Sequence, residues 1–470
     1  MIPSLKSIFN RLDFSYIYAF LSEFTLGFTF LFYLILARIL GPEDYGIFAA
    51  ATALGGILSL FIRFGLSNLI TREVAANPQE GPKSTLKFLV LEILNSVPIL
   101  LLLFPLANAL DFKGTGLIVC YLVILAEICR SAKLTIRGVF RGLGRFKTET
   151  ISVSIERTMV VILAGLVLVL TKNIILVVAT LVLVRILDIL SLIYYLSKQT
   201  SIWSSINLKS LWESLKMAAP FALAGVLLIL YYQIDLVMLK GLAPLEETGY
   251  YSVAVRTIEI LFALPRVIFL VSFTKFARCY AQEPDRLPKE IYKSTCLLVV
   301  FVLPVLIVTG FGQTFLVEIV YGKAFLASIN SLLILIPSLG MKIFGTLVEN
   351  FFKSTGKEKI LTPLLLSTVI INIISNAILI PYLGAVGAAI ATLISEVVLA
   401  MVGLSLMIRM GYPKIGKNLI VLAILSLIVA AIPSLILNGL QLSLGIIIMT
   451  LSIAGIVIVM RPNYFYKQVG

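Results

Sequence analysis

Apolar residues in this chain come in continuous runs, neither as one-sided helical stripes nor as strand-like alternation. Fourteen runs stand out, at 14–37, 46–66, 84–107, 114–136, 150–171, 173–196, 213–239, 247–273, 291–312, 326–352, 361–381, 384–408, 418–437 and 440–460. About 20 apolar residues in a helix cross the ~30 Å of bilayer hydrocarbon. Lipid offers no partner to an unpaired backbone group, so each run is expected to be a helix. The pattern predicts an all-α polytopic membrane protein with about fourteen spans. The first run follows Lys6 and Arg11 as a signal peptide would, but it has no small-residue cleavage site and reads as a retained span. The connections are too short for a soluble domain.

The pattern also repeats. Phe140-Arg141-Gly142-Leu143-Gly144-Arg145-Phe146-Lys147 returns as Phe352-Lys353-Ser354-Thr355-Gly356-Lys357-Glu358-Lys359, and in the same register Ala179-Thr180-Leu181-Val182 returns as Ala391-Thr392-Leu393-Ile394. Earlier in each copy Gly46 meets Gly249 and Arg63 meets Arg266. The expected organisation is an N-terminal lobe over 1–205 (spans one to six), a C-terminal lobe over 206–410 (spans seven to twelve) and a two-helix extension over 411–470. An even number of spans per copy makes both copies face the same way. That implies two parallel six-helix lobes related by a pseudo-twofold axis along the membrane normal, with a site between them that opens by rocking. The last two spans carry no charge within the membrane and read as a lipid-facing addition or a groove for a lipid tail. A cavity between lobes of one chain needs no second copy, so a monomer is expected.

Composition agrees: 60% of residues are hydrophobic and 13% charged. The net charge of +14 would suit nucleic acid, but its distribution points elsewhere. Most lysines and arginines fall on one side of the spans, together with both termini, and cluster at Arg137, Arg141, Arg145 and Lys147 and at Lys275, Arg278, Arg286, Lys289 and Lys293. The positive-inside rule makes that side cytoplasmic, in an inner membrane, and its basic residues suit anionic lipid headgroups rather than nucleic acid. The four cysteines, Cys120, Cys129, Cys279 and Cys296, lack metal-ligand spacing, and the chain has no histidine. There is no Gly-rich loop ending in Lys-Ser/Thr. No metal, cofactor or catalytic constellation is expected: the pattern is that of a transporter, not an enzyme.

Four segments carry a family resemblance. They are Ala37-Arg38-Ile39-Leu40-Gly41-Pro42-Glu43-Asp44-Tyr45-Gly46-Ile47-Phe48; Gly65-Leu66-Ser67 with Arg72-Glu73-Val74-Ala75; Arg141-Gly142-Leu143-Gly144-Arg145-Phe146; and Pro381-Tyr382-Leu383-Gly384-Ala385-Val386-Gly387-Ala388-Ala389-Ile390-Ala391-Thr392. In this order, at these spans, they resemble the Wzx-type polysaccharide-unit flippases, a branch of the multidrug/oligosaccharidyl-lipid/polysaccharide exporter superfamily. The resemblance implies movement of a polyprenyl-diphosphate-linked oligosaccharide, such as an O-antigen unit, from the cytoplasmic to the outer leaflet. It also implies the polymerase and glycosyltransferases of the same pathway as partners, beside membrane lipids. Turn chemistry alone accounts for part of the first motif, since Gly-Pro ends one helix and acidic residues favour the start of the next. The alternative is a cation-coupled multidrug or metabolite exporter of the same superfamily. A lipid-embedded scaffold would not explain buried charge.

Ionisable groups within spans are costly and usually face a cavity. The basic ones are Arg63, Arg130, Lys133, Arg157, Arg185, Arg256, Arg266 and Lys342; the acidic ones are Glu23, Glu92, Glu127, Glu156, Asp188, Asp235, Glu259, Glu349 and Glu396. Glu127 with Arg130, Arg185 with Asp188, and Arg256 with Glu259 stand at intrahelical contact spacing. Arg63 and Arg266 have no carboxylate three or four residues away, and Pro265 can kink the helix beside the second. Two guanidiniums suit a diphosphate; snorkelling to headgroups is the competing account. The expected anion-binding set is therefore Arg63, Arg266, Arg256 and Arg185. Candidates for cavity lining or coupling are Glu23, Asp188, Asp235, Glu259, Glu396, Asn372 and Asn376. The two asparagines either bond sugar hydroxyls or pack helices. Coupling is open between an ion and the membrane potential, which is worth about 2.3 kcal/mol per charge for each ~100 mV.

Overall fold

The computed structural model describes residues 26–202, 208–412 and 418–426. Glu23, the start of the first span, both termini and most of spans thirteen and fourteen lie outside the described residues. Among the described residues every regular element is helical. Seven of the helices are each long and apolar enough to cross a membrane, and an eighth joins them if a bent pair counts as one span. Large apolar side chains such as Leu101, Leu170, Leu270 and Phe315 are exposed, while Glu92, Glu127, Lys133, Arg137 and Glu396 are buried. That inverted distribution belongs to a chain solvated by lipid.

By internal contacts the chain divides into two compact units, Met1–Gly241 and Leu242–Gly470. The first contains α1 (Leu26–Arg63), α2 (Leu66–Ala76), α3 (Thr85–Ala109), α4 (Thr115–Gly142), α5 (Phe146–Met159), α6 (Gly165–Thr171), α7 (Ile174–Ser197) and α8 (Leu208–Leu242). Helix α1 carries the first two expected runs and breaks at Gly41, whose φ of 78° suits a glycine, followed by Pro42, which has no N–H to give. One wide π-helical turn, Val160–Ala164, separates α5 from α6 within the single expected run 150–171.

The amphipathic α2, which the run pattern did not single out, buries Leu66, Leu69, Ile70 and Val74 against α3 and α4. Its close approach depends on two glycines of α4. A Cβ on Gly138 would lie 2.8 Å from the Ser67 carbonyl oxygen, and one on Gly142 would lie 2.7 Å from Val74 Cβ. On the other side of the unit, Lys240 Nζ donates to the carbonyls of Leu110 and Asp111, each at 2.9 Å, and sits 4.8 Å from the centre of the Phe112 ring. This ties α8 to the connection between α3 and α4. In that connection a hydrogen bond from Lys113, reinforced by its charge, holds the exposed Asp111 carboxyl below its ordinary pKa.

The second unit contains α9 (Leu245–Leu261), α10 (Ala263–Gln282), α11 (Leu287–Val320), α12 (Ser328–Ser354) and α13 (Glu358–Arg409). Helices α9 and α10 share one apolar run but meet at a 49° bend just before Pro265, where the sequence predicts a kink. Helix α13 holds runs eleven and twelve and breaks at Gly384, φ 54°. There the Ala385 N–H donates to Glu247 Oε2 of α9 at 2.8 Å, and a Cβ on Gly384 would come within 2.6 Å of that oxygen. One turn further along α9, the Tyr251 hydroxyl lies 2.9 Å from Thr392 Oγ1.

The repeated sequence forms repeated turns. Gly144 and Gly356 adopt φ of 70° and 68°. The Arg145 N–H donates to the Phe140 carbonyl at 2.8 Å, as the Lys357 N–H does to that of Phe352 at 2.8 Å. Both are left-handed helix caps in which the next amide reaches back over the last turn.

Candidate functional site

Ionic side chains concentrate in the first unit, on the facing surfaces of α4, α5 and α7. Lys133 pairs with Glu156 Oε1, and Arg137 Nη2 reaches Glu156 Oε2 at 3.1 Å and Asp188 Oδ2 at 2.7 Å. Ser152 Oγ accepts from Arg137 at 3.0 Å and donates to Asp188 Oδ1 at 2.8 Å. Arg185 Nη1 donates to the Ala126 carbonyl at 2.6 Å and to Glu127 Oε1 at 3.3 Å. Arg130 Nε stands 2.7 Å from Glu127 Oε2, off the hydrogen-bonding direction. Charges taken out of water this completely must be matched, and here four basic groups meet three carboxylates.

Beside this set, at the end of α1, lies Arg63. Its Nη2 donates to Ser59 Oγ at 3.2 Å and its Nε approaches the Ser59 carbonyl at 3.5 Å. Among the described residues it makes no ion pair, though Arg130, Glu127 and Glu92 are close enough to act on it electrostatically. Glu92 is buried on α3 and accepts from Thr135 Oγ1 at 2.7 Å. Asn95, one turn on, donates to the Ile62 carbonyl at 3.2 Å and so fixes the end of α1. A separate apolar groove of about 910 Å³ runs between α1, α3 and α8. Phe61, Pro98, Ile99 and Trp212 line it, with Lys216 Nζ 5.5 Å from the centre of the Trp212 ring. No residue of the ionic set lines it.

In the second unit the candidates are more dispersed. Arg256 pairs with Glu259 at 2.7 Å, the intrahelical pair that the spacing predicts. Glu396 is buried on α13 with Lys342 Nζ 3.6 Å from Oε1. Asn376 Nδ2 donates to Asn372 Oδ1 at 3.0 Å, and both asparagines are buried. Arg266 is exposed, its guanidinium 6.0 Å from the centre of the Phe262 ring, and makes no ion pair among the described residues. Asp235 belongs to the first unit, buried on α8.

Two expectations need correction. Arg185 and Asp188 stand three apart on α7 but do not neutralise one another. Arg185 turns to Glu127 on α4, and Asp188 to Arg137, where a second helix offers shorter contacts. Arg137, grouped above with the cytoplasmic loop, is a buried residue of α4. Its helical spacing after Arg130 and Lys133 is the signal that places it on the charged face.

The fold is shared with solved multi-pass membrane proteins, among them one named as a transporter of the MOP superfamily. A structure named as a MATE-family multidrug resistance transporter in its inward-facing conformation matches with a TM-score of 0.67 at 16% identity, over 83% of this chain and 95% of that one. A structure named as the lipid II flippase MurJ, inward closed, matches with a TM-score of 0.71 at 16% identity, over 97% and 99% of the two chains. These solved neighbours are transporters and flippases, not enzymes. The chain belongs to the polysaccharide biosynthesis protein family, which it matches over residues 15–276. It is also similar to an uncharacterized membrane protein of Methanocaldococcus jannaschii, 25% identical over 418 residues, covering 84% of this chain and 97% of that one.

Proposed function

We propose that this protein is a flippase for a polyprenyl-diphosphate-linked oligosaccharide unit. It carries the unit from the cytoplasmic to the outer leaflet of the cell membrane for surface polysaccharide assembly, by alternating access, with both termini in the cytoplasm. The observation that carries the reading is Arg63. It is a half-buried guanidinium without a carboxylate partner among the described residues, held by Ser59. Such a group suits a diphosphate, whose paired oxygens match the planar fork. Arg266, its counterpart in the repeat, likewise makes no ion pair among the described residues. Arg185 and Arg256 already engage carboxylates and take a secondary part. The family assignment and the fold shared with a lipid II flippase support a lipid-linked substrate.

The test is mass spectrometry of lipids from cells depleted of the protein. A polyprenyl-diphosphate oligosaccharide is expected to accumulate, and its mass names the glycan. An unchanged lipid-linked pool with new sensitivity to cationic dyes would instead identify a drug exporter. In reconstituted vesicles, Arg63→Gln with Arg266→Gln is expected to abolish flipping of that lipid while the protein remains inserted.

A further inference from the structure

The apolar groove of the first unit has a length and a position that the diphosphate site alone leaves unused. Its lining on α3 is a single stripe, Asn95, Pro98, Ile99, Leu102, Pro105 and Leu106. At ~1.5 Å per residue the stripe is about 16 Å long, half of the ~30 Å of bilayer hydrocarbon and so the depth of one leaflet. Pro98 and Pro105 set short rings two turns apart along it, and α1 and α8 supply the other walls. Phe61 and Leu102 are exposed, so the groove is open along its side.

Charge enters at one end. Phe64 lines the groove directly after Arg63 in the chain, and Asn95, in the same lining, donates to the Ile62 carbonyl just before it at 3.2 Å. Phe64 holds a φ of 43°, uncommon for a residue with a side chain, ahead of Gly65 at 77°. The start of α8 lies at this same end, because Leu211 and Ala218 share a core cluster with Leu66 and Leu69 of α2 and Phe88 of α3. It brings Lys216 into the lining beside Trp212, the kind of pair found at headgroup level. A cationic head and an apolar length one leaflet deep complement a lipid phosphate.

We infer that this groove berths the isoprenoid chain of the lipid whose diphosphate Arg63 takes, with Lys216 as a further cation at its head. The inference rests on the proposed function and adds a place for the tail. That place is distinct from the last two spans, most of which lie outside the described residues. Hydrocarbon gains little by leaving lipid for an apolar wall, so what the groove offers is close contact and a fixed starting position for the headgroup. A single groove fits a lipid with one chain, as an isoprenoid diphosphate has, better than a phospholipid with two.

The test uses the full chain in phosphatidylcholine nanodiscs with geranylgeranyl diphosphate that carries a diazirine at the far end of its chain. Illumination is expected to label segments 58–64 and 98–106, read by peptide mass spectrometry, and the unlabelled lipid should compete. Leu102→Trp fills the groove at an exposed position. It should melt like the wild type, bind the diphosphate about tenfold more weakly and lose the label. Leu102→Met, which conserves volume, should bind and label like the wild type. A phosphatidylcholine with the same diazirine in one chain is the control. If it labels 98–106 and geranylgeranyl diphosphate does not displace it, the groove is merely solvated by bulk lipid and the inference fails. It fails equally if the label maps to other helices or if Leu102→Trp binds like the wild type. A loss of binding in Arg63→Gln alongside either result would leave the flippase reading standing. No saturable binding to the wild type would overturn the diphosphate site and the groove together.

Discussion

The two sequence copies build the same helix turns and fill them with opposite chemistry. In the register that aligns Phe140 with Phe352, Lys133 of the first unit corresponds to Gly345 of the second, Ser152 to Leu364, Glu156 to Thr368, Arg185 to Val397 and Asp188 to Ala400. The first set forms the ionic interior of α4, α5 and α7. The second is packed without it: Leu364, Thr368 and Ala400 are buried, and a Cβ on Gly345 would lie 3.0 Å from Leu399 Cδ2. At Gly403 a Cβ would overlap Val348, so α12 and α13 approach as closely as side chains permit. The second unit keeps charge at fewer places: in this register Lys342, which stands beside the buried Glu396, takes the position of Arg130, and Glu349 that of Arg137. Apolar replacements of buried ion pairs are often as stable as the pairs themselves. Under the proposed function, the additional charges of the first unit would serve to handle an anion rather than to hold helices together.

That contrast can be broken at several points. The largest effect is expected from Glu156→Leu, which strands Lys133 and leaves Arg137 with Asp188 and Ser152, and should cost about 3–5 kcal/mol, seen as a lower melting temperature in detergent. Replacing Lys133, Arg137, Glu156 and Asp188 together with apolar residues should restore much of that stability. A fourfold variant less stable than Glu156→Leu would break the comparison. Next comes Gly384→Ala, which combines a left-handed φ with a clash against Glu247 and should cost about 2–3 kcal/mol, near the upper end for backbone strain. Lys240→Met leaves the carbonyls of Leu110 and Asp111 without their donor and should cost about 1–3 kcal/mol. Smallest are Gly144→Ala and Gly356→Ala, each about 1 kcal/mol because space around both is open and only φ resists. Equal losses at these two would sharpen the claim that the copies share a backbone and differ in contents.

The breaks were legible because they depend on local chemistry. Gly41-Pro42 and Pro265 announce themselves through glycine's wider φ range and the missing proline donor, and both mark observed bends or the residues beside them, while Gly384 falls at the gap between runs eleven and twelve. The pairing of charges was less legible, because a spacing of three says which groups can meet along a helix and not which neighbour offers a better partner. Arg185 and Asp188 satisfied that rule and chose other helices. Arg137 was hidden by its company: followed by Arg141, Arg145 and Lys147, it reads as the start of a basic loop. Only the helical spacing from Arg130 through Lys133 places it on the interior face. The amphipathic α2 was missed for a simpler reason. A search for spans passes over a helix of 11 residues that lies against others by one face.

The contacts of Glu247 with the Ala385 amide and of Tyr251 with Thr392 have a mechanical consequence. They bolt one end of α9 to the later half of α13 at two points a turn apart, while the other end of α9 runs into the bend ahead of Pro265. Thr257, near the far end of α9, is tied as well, to the Tyr321 hydroxyl at 3.3 Å, so a swing of α10 against α9 would be taken up at the bend itself. In such a motion α9 would be the stator and α10 the crank, with Arg256 on the held part and Arg266 on the part that turns.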